Sequence, residues 1–245
     1  MPGAPISIDV PLDDGQALRA ELTLPDGDGP FPGVVVLHES FGLNDDIRRI
    51  AHRFAEAGYA ALAPSLFSHG PRAQCLMRLM SAAVRKDPSD PVADVLSARA
   101  ALAARPEVDA GRIAVAGFCL GGGFALVAGL DPGVRAAAVH YGDVPPDTAA
   151  LQGVCPIIGT FGARDKLFGS AMAERLEDHL TELGVAHDIK VYPGAGHSIL
   201  NRHEGWQGAL ARVPSPMRVG YRDADAEDGW RRMLAFFDEH VAAAS

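Results

Sequence analysis

The chain has 245 residues, of which 48% are hydrophobic and 22% charged, and its formal net charge is −9 at pH 7. This length and composition predict a globular protein with an apolar core large enough to need no disulfides. The acidic balance without a basic stripe excludes nucleic acid as an expected partner, and no apolar run approaches the roughly 18 residues of a membrane span.

Apolar β-rich runs alternate with helical patterns, which is typical of an α/β fold with a mostly parallel central sheet and helices on both faces. The first predicted elements are an edge strand from Ala17 to Leu24, a buried strand from Gly33 to Leu37, an amphipathic helix from Asp45 to Ala57 that stops at Gly58, and a strand from Tyr59 to Ala63. Residues 64–91 are irregular at both ends around a short helix from Arg72 to Arg85. We interpret this segment as an excursion over a functional site.

An alanine-rich helix from Val92 to Ala104 is predicted next, and a strand and helix follow between Arg112 and Leu130. The remaining predictions are strands at Val134 to His140, Pro156 to Phe161 and His187 to Tyr192, and helices at Ser170 to Leu183 and Ala226 to Ala243. Because the alternation is continuous, we expect residues 1–245 to form a single domain.

The run R-I-A-V-A-G-F-C-L-G-G-G-F, from Arg112 to Phe124, takes an apolar strand through Cys119 directly into a small-residue helix. Gly117 and Gly121 have the spacing of a nucleophile elbow, a strained turn that pushes the nucleophile out beside a helix N-terminus. Free N–H groups and the helix dipole there favour a thiolate and a developing oxyanion. The alternatives are a buried cysteine in a tight turn and a glycine-rich phosphate cradle.

A catalytic thiol needs a nearby base, because only a small fraction of an ordinary thiol is ionised at neutral pH. Among nine histidines, His197 is the best candidate, since it follows the predicted strand at 187–192 on the glycine-rich loop Y-P-G-A-G-H-S. His140 lies within a strand and is expected in the core, whereas His179 is expected on a helix surface. His38, directly after the central strand, is ambiguous.

The third member of a triad is a carboxylate that orients the imidazole. Asp165 fits best, in P-I-I-G-T-F-G-A-R-D, where a strand gives way to a glycine-containing loop. Asp143, in V-H-Y-G-D, is the alternative, and either aspartate could instead cap a helix or close a turn. With Asp165 the chain order is nucleophile, acid, histidine, as in the α/β-hydrolase fold.

Four motifs in this order resemble the dienelactone hydrolase family: H-E-S-F-G at 38–42, G-F-C-L-G-G around Cys119, the loop of Asp165, and G-A-G-H-S around His197. The resemblance extends from about Leu18 to Phe237. It implies a cytosolic α/β hydrolase whose Cys-His-Asp triad opens carboxymethylenebutenolide (dienelactone) rings through a thioester. Relatives in the family act on other carboxylic esters.

The resemblance also implies that Glu39 accepts a hydrogen bond from the resting thiol and assists its ionisation. The residues alone favour a different interpretation, in which Glu39 is a loop carboxylate that caps the helix starting near Asp45. The oxyanion hole is predicted to use the backbone N–H of Leu120, the residue after the nucleophile, and by resemblance that of Ser40.

Arginines bind the substrate carboxylate in the family, and here the sequence departs from the family pattern G-H-S-F-x-R. The run at 197–202 is H-S-I-L-N-R, so that Arg202 comes one position late and an isoleucine replaces the aromatic residue. A second arginine is expected from the excursion, where Arg72, Arg78 and Arg85 compete. Arg202, Arg72 and Arg85 are the substrate-binding candidates.

We therefore expect a cysteine-dependent hydrolase of small esters or lactones, with dienelactone as the preferred substrate. The alternatives are a general carboxylesterase or thioesterase, a non-catalytic small-molecule-binding relative, and a redox thiol. No cofactor or metal is expected, because neither H-E-x-x-H nor a paired Cys/His cluster occurs. Three cysteines without framework spacing, and an N-terminus without a signal pattern, predict a cytoplasmic protein. It is expected to bind neither nucleic acid nor membrane and to be a monomer or small homo-oligomer.

Overall fold

The computed structural model describes residues 2–13, 15–85, 87–205, 208–209, 213 and 215–242. Its strands are β1 (Ile6–Pro11), β2 (Ala17–Thr23), β3 (Phe31–Leu37), β4 (Ala60–Pro64), β5 (Val108–Phe118), β6 (Ala136–His140), β7 (Ile157–Gly162) and β8 (His187–Tyr192). They form one 8-stranded sheet in the order β1-β2-β4-β3-β5-β6-β7-β8. β2 is antiparallel to both of its neighbours, and all other pairs are parallel.

The helices are α1 (Asp45–Glu56), α2 (Arg72–Arg85), α3 (Ser89–Ala103), α4 (Leu120–Ala128), α5 (Ser170–Glu182) and α6 (Asp223–Phe237). A short 3-10 helix at Thr148–Leu151 interrupts the loop between β6 and β7, and a π-helix at Asp238–Ala242 continues α6. The predicted α/β class with a mostly parallel sheet is confirmed. None of the helices in the described ranges combines the length and apolar character needed to cross a membrane.

Alternate residues of the central strand β3 face different layers of helices. Val34 and Val36 are buried in a cluster with side chains of α1 and α6. Val35 and Leu37 are buried on the other face with side chains of α3 and α4. Because both faces are covered, the strand is a continuous apolar run and not an alternating one.

Helix α1 begins and ends at sequence signals. The side chain of Asn44 caps its N-terminus by accepting a hydrogen bond of 3.0 Å from the N–H of Ile47. Asp45 and Asp46 in the first turn suit the positive end of the helix dipole, and Gly58, at φ 92°, follows its end. The capping group is therefore Asn44, so the alternative interpretation of Glu39 as the cap is wrong.

The prediction of Ala17 to Leu24 as an edge strand is wrong, because β2 is paired on both sides and β1 forms the edge. β1 was not predicted, although Ile6, Ile8 and Val10 alternate with polar residues in a pattern typical of a strand. Only Val10 of the three is buried, as suits a strand at the exposed edge of a sheet.

Helix α3 starts at Ser89, three residues before the predicted Val92, so the end of the supposed irregular segment is helical. His179 was expected on the surface but is buried, with Nδ1 2.7 Å from Thr148 Oγ1 and Nε2 3.1 Å from the carbonyl oxygen of Pro145. The predicted end of the last helix, Ala243, lies outside the described residues.

Candidate active site

Four of the predicted residues meet at the carboxyl edge of the sheet. Glu39 follows β3, Cys119 follows β5, Asp165 follows β7 and His197 lies on the loop after β8. The Cys119 sulfur, a carboxylate oxygen of Glu39 and a ring nitrogen of His197 lie within 4.8 Å of one another. Because carboxyl ends of parallel strands share one edge, the topology brings together residues that are far apart in sequence.

Cys119 lies at a sharp strand-to-helix turn with φ 54° and ψ −116°. Such a backbone costs a non-glycine residue on the order of 1–3 kcal/mol. A Cβ on Gly117 would lie 2.0 Å from the carbonyl oxygen of Gly121, and one on Gly121 would lie 2.7 Å from that of Leu37. The turn therefore requires glycine on both sides of the cysteine.

His197 is oriented by Asp165, whose Oδ2 lies 2.6 Å from Nδ1 of the ring. The other oxygen, Oδ1, accepts hydrogen bonds from the N–H groups of Leu167 (2.9 Å) and Phe168 (3.0 Å). Both partners are buried, so the carboxylate is fixed on all sides. Asp165 is therefore the carboxylate that orients the imidazole.

The His197 imidazole is held towards its protonated form. Burial lowers its pKa, but the Cys119 sulfur and the Asp165 carboxylate outweigh burial and raise the pKa to about 10. Its Nε2 has no hydrogen-bond partner among the described residues. The charged ring thus faces the sulfur with a free N–H, which is the state that stabilises a thiolate.

Glu39 is buried beside this pair. One oxygen, Oε1, accepts a hydrogen bond of 2.6 Å from Ser198 Oγ, and Oε2 lies 3.4 Å from Nε2 of His203. Burial is the largest influence and raises the pKa of Glu39, against the opposing effects of His203, Ser198 and His197. Burial therefore favours the protonated carboxyl group, and the charges of the two histidines favour the carboxylate.

His38, which the sequence left ambiguous, holds the loop after β3 in place. Its Nδ1 lies 2.7 Å from the carbonyl oxygen of Glu39, and its Nε2 accepts a hydrogen bond of 3.0 Å from the N–H of Leu66. Burial lowers its pKa to about 4, which agrees with a neutral ring that donates at Nδ1. His140 is buried in β6 and stacks on Phe118, as expected for a core histidine.

The two candidate oxyanion donors lie on adjacent parts of the site. Leu120 is the first residue of α4, where an N–H has no acceptor in a preceding helical turn. Ser40 lies in a tight turn after β3 that is closed by a bond of 3.0 Å from the N–H of Gly42 to the carbonyl oxygen of Glu39. Neither of the two N–H groups donates to a backbone carbonyl in the described part of the chain.

The three arginines predicted to bind substrate make no polar contact with the Cys119 cluster in the described part of the chain. Arg202 is half-exposed and donates to Tyr221 Oη at 3.0 Å. Arg72 donates to the carbonyl oxygen of Phe41, and Arg85 is exposed at the last turn of α2. Within the described ranges, none of them forms an ion pair or hydrogen bond with the Cys119 cluster. Arg78 pairs with Asp90 and Asp94 instead.

Sequence reasoning missed a buried polar group behind the histidine. The ring of Tyr141 lies 4.9 Å from that of His197, centroid to centroid, and its hydroxyl donates to Asn201 Oδ1. Asn201 in turn donates to Asp46 Oδ2 at 2.7 Å. Asn201 occupies the position at which the family pattern has arginine. The sequence shows this replacement, but it does not show that Asn201 contacts Tyr141 and Asp46.

The residues around Cys119 also raise the question of a metal site. Thiol, imidazole and carboxylate are donor types that zinc accepts. Here the imidazole is bound to a carboxylate at one nitrogen and faces the sulfur with the other, which is the arrangement of thiol hydrolysis. We assign no ion to the cluster.

The sheet order and the strained turn after β5 define this protein as an α/β hydrolase. The sequence model of the Dienelactone hydrolase family matches residues 18–241. The chain belongs to that family, and the predicted membership is confirmed.

Three relatives show how far the similarity reaches. A protein of Methylorubrum extorquens, provisionally named carboxymethylenebutenolidase, is 30% identical in an alignment that covers 96% of this chain and 81% of that protein. A Bradyrhizobium protein provisionally named 2-oxo-3-(5-oxofuran-2-ylidene)propanoate lactonase is 26% identical over 93% of this chain and 92% of its own length. The crystal structure of a dienelactone hydrolase-like promiscuous phosphotriesterase from metagenomic libraries superimposes with a TM-score of 0.81, at 28% identity, over 97% of this chain and 99% of that one.

Proposed function

We propose that the protein hydrolyses small carboxylic esters or lactones with Cys119 as its nucleophile, and that dienelactone ring opening is its preferred reaction. The observation that carries the proposal is the joint placement of four groups. The Asp165 carboxylate holds His197 at 2.6 Å, while the imidazole, the thiol and Glu39 lie within 4.8 Å of one another at the strained turn. Hydrolases and a lactonase among the relatives support the same substrate class.

The reaction starts with ionisation of the thiol. Glu39 takes the proton from Cys119, so that the S–H bond breaks and an O–H bond forms on the carboxyl group. The negative charge moves to the sulfur, where the imidazolium of His197 stabilises it. The raised pKa of His197 keeps the ring charged when this happens.

The thiolate then attacks the carbonyl carbon of the ester or lactone. The N–H groups of Leu120 and Ser40 stabilise the oxyanion, and losing one such donor typically lowers the rate by about 10²–10³. When the tetrahedral intermediate collapses, the carbon–oxygen bond breaks. The leaving oxygen, an enolate in the case of a dienelactone, takes the proton of His197, and a thioester remains on Cys119.

Hydrolysis of the thioester restores the enzyme. Neutral His197 now accepts a proton from water, whose oxygen attacks the thioester carbonyl. The carbon–sulfur bond breaks, the acid product leaves, and the thiolate recovers its proton from Glu39. Asp165 keeps the imidazole in the tautomer that both half-reactions require.

Replacing Cys119 tests this proposal. We expect Cys119→Ala to abolish hydrolysis of p-nitrophenyl acetate while the circular dichroism spectrum and melting temperature stay close to those of the wild type. Cys155→Ala is the matched control, because this thiol lies in the loop just before β7, where burial raises its pKa to about 12. Activity that persists in Cys119→Ala would refute the proposed nucleophile.

A general esterase for uncharged substrates is the second candidate. It is favoured by the arginines, since Arg202 is bound to Tyr221 and Arg72 to the carbonyl of Phe41. Turnover of cis- and trans-dienelactone beside p-nitrophenyl esters distinguishes the two. Efficient ester hydrolysis with failure on both lactones would replace dienelactone hydrolase by general esterase.

We also propose that the excursion over residues 64–91 covers the site. In support, Arg72 reaches the loop after β3 at Phe41, and its guanidinium carbon lies 5.0 Å from the ring centroid of Phe67. The single sheet supports one α/β-hydrolase domain over residues 1–245.

A further inference from the structure

A second histidine lies next to the proposed catalytic cluster. His203 follows His197 by six residues, and only 3% of its side chain is exposed. Its Nε2 lies 3.4 Å from Oε2 of Glu39, and its ring meets the ring of Phe41 edge-on at 5.4 Å between centroids. Neither ring nitrogen has a hydrogen-bond partner among the described residues. A buried polar ring without such a partner carries a desolvation cost, which the charge of Glu39 can offset.

The surroundings of Glu39 show why this neighbour matters. Within the described part of the chain, the ionisable groups that face its carboxylate are Cys119, His197, His203, Asp46 and Tyr141. Two of the five can be cations, and both are histidines. One of them, His197, already has the Asp165 carboxylate at 2.6 Å. His203 is therefore the cation available to Glu39 itself.

We propose that His203 is a positioning residue of the Cys119 site, whose imidazolium keeps the buried carboxyl group of Glu39 ionised and so able to take the thiol proton. The inference rests on the proposed function, since it concerns the ionisation step of that reaction. Ser198 holds one oxygen of Glu39 at 2.6 Å by a neutral hydrogen bond. His203 supplies the positive charge at the other oxygen.

The sign of the expected effect follows from charge. Without His203, burial acts on Glu39 with one cation fewer, so a larger share of the carboxyl group is protonated at neutral pH. A protonated carboxyl group cannot accept the thiol proton. The enzyme then loses activity on the acidic side and recovers it at higher pH, where Glu39 ionises.

The test is the pH profile of kcat/KM for p-nitrophenyl acetate in His203→Gln and His203→Phe. An opposite charge at this distance typically shifts a carboxyl pKa by about 1–3. We therefore expect the acidic limb to move up by about one pH unit or more, which is about a tenfold loss below the limb. The phenylalanine variant keeps the ring packing against Phe41, so a shift shared by both variants reports the lost charge.

Two comparisons complete the experiment. In a Glu39→Gln background, the His203 substitutions should cause no further shift, because the group they act on is gone. His52→Gln is the matched control, since this histidine is half-exposed on α1 and 3.5 Å from Glu56; its profile should equal that of the wild type. The rate of thiol alkylation by iodoacetamide gives a second profile that does not depend on substrate binding.

Several outcomes would overturn the inference. An unmoved acidic limb with lower activity at every pH would make His203 a packing residue, as would loss of folding in both variants. An equal shift in the Glu39→Gln background would place its action elsewhere. In either case the proposed function stands if Cys119→Ala is inactive, whereas an active Cys119→Ala enzyme refutes the function itself.

Discussion

The backbone of Cys119, at φ 54°, belongs to a region that costs an ordinary side chain on the order of 1–3 kcal/mol. Close packing of the neighbouring glycines against backbone atoms holds Cys119 in this conformation. Gly117 meets the carbonyl of Gly121, and Gly122 would bring a Cβ to 2.8 Å from the carbonyl oxygen of His140. The strain at one residue is thus maintained by the absence of side chains at three others.

Gly117→Ala is expected to destabilise the fold and to abolish activity together. Its Cβ would lie 2.0 Å from backbone oxygen, so either β5 or α4 must move and Cys119 with it. Gly111→Ala is the control on the same strand, because its Cβ meets nothing nearer than 3.4 Å, a side-chain oxygen of Asp109. Thermal denaturation and ester hydrolysis of both variants measure the contrast. Near-normal activity in Gly117→Ala would show that the turn tolerates a side chain.

The pKa of His197 should fall in Cys119→Ala. Burial lowers this pKa, and the Cys119 sulfur is the largest of the influences that raise it from 6.5 to about 10. With the sulfur gone, the largest of the influences that oppose burial is lost, so the ring loses its proton at a lower pH. Nitrogen NMR of the imidazole over a pH series measures the midpoint in both proteins. The same midpoint in both would mean that sulfur and ring are not electrostatically coupled.

Cys119, Asp165 and His197 were predictable because each stands just after a strand, inside a short glycine-containing motif. Their proximity follows from the parallel sheet. His203 and Tyr141 could not be predicted in this way. The contact between Glu39 and His203 joins loops after β3 and β8, and the ring contact of Tyr141 depends on its own left-handed backbone, at φ 42°, which local sequence did not indicate.

At the scale of elements, the sequence predicted the limits of some helices and strands correctly, but it missed one strand and the start of one helix. Helix α2 at Arg72–Arg85 and strand β8 at His187–Tyr192 have the predicted limits. Strand β1 was missed although Ile6, Ile8 and Val10 alternate with polar residues, a pattern that indicates a strand. The start of α3 was missed because Pro91 suggested a loop, although proline is accepted in the first turn of a helix.

A cluster of charged side chains connects helices α2 and α3, and it can be used to test how burial affects the strength of an ion pair. Arg78 contacts Asp94 at 2.5 Å and Asp90 at 3.0 Å, and the exposed fractions of these aspartates are 5% and 66%. Asp94 also holds His69 at 2.8 Å. The same arginine therefore has one buried and one exposed partner.

Asp94→Ala should lower the free energy of unfolding by about 2–4 kcal/mol, because it removes the buried carboxylate that contacts both Arg78 and His69. Asp90→Ala should change it by about 1 kcal/mol or less, since an exposed pair contributes little. Urea denaturation of both variants measures the difference. Equal losses would show that burial does not decide the strength of these pairs.

For the whole molecule, alternating elements and the chain order of the triad were sufficient to predict an α/β hydrolase. The sheet supplies the edge at which the site forms, and two layers of helices bury both of its faces. Sequence was less informative about the substrate. The arginines proposed to distinguish an anionic lactone from a neutral ester lie in a loop and at the two ends of α2, and their positions depend on tertiary contacts and not on periodicity.

The net charge of −9 leads to a prediction about that substrate. The electrostatic field of an acidic protein repels an anionic lactone unless nearby cations reverse the field at the site. Among the described residues, the candidate cations, Arg202, Arg72 and Arg85, form no ion pair with the Cys119 cluster. Raising the ionic strength from about 10 mM to about 150 mM shortens the Debye length from about 30 Å to about 8 Å and screens the repulsion. We therefore expect kcat/KM for a carboxylate-bearing dienelactone to rise severalfold with salt, while that for uncharged p-nitrophenyl acetate stays constant. A fall of the lactone value with salt would contradict this prediction, because it would mean that arginines attract the carboxylate at the site more strongly than the whole molecule repels it.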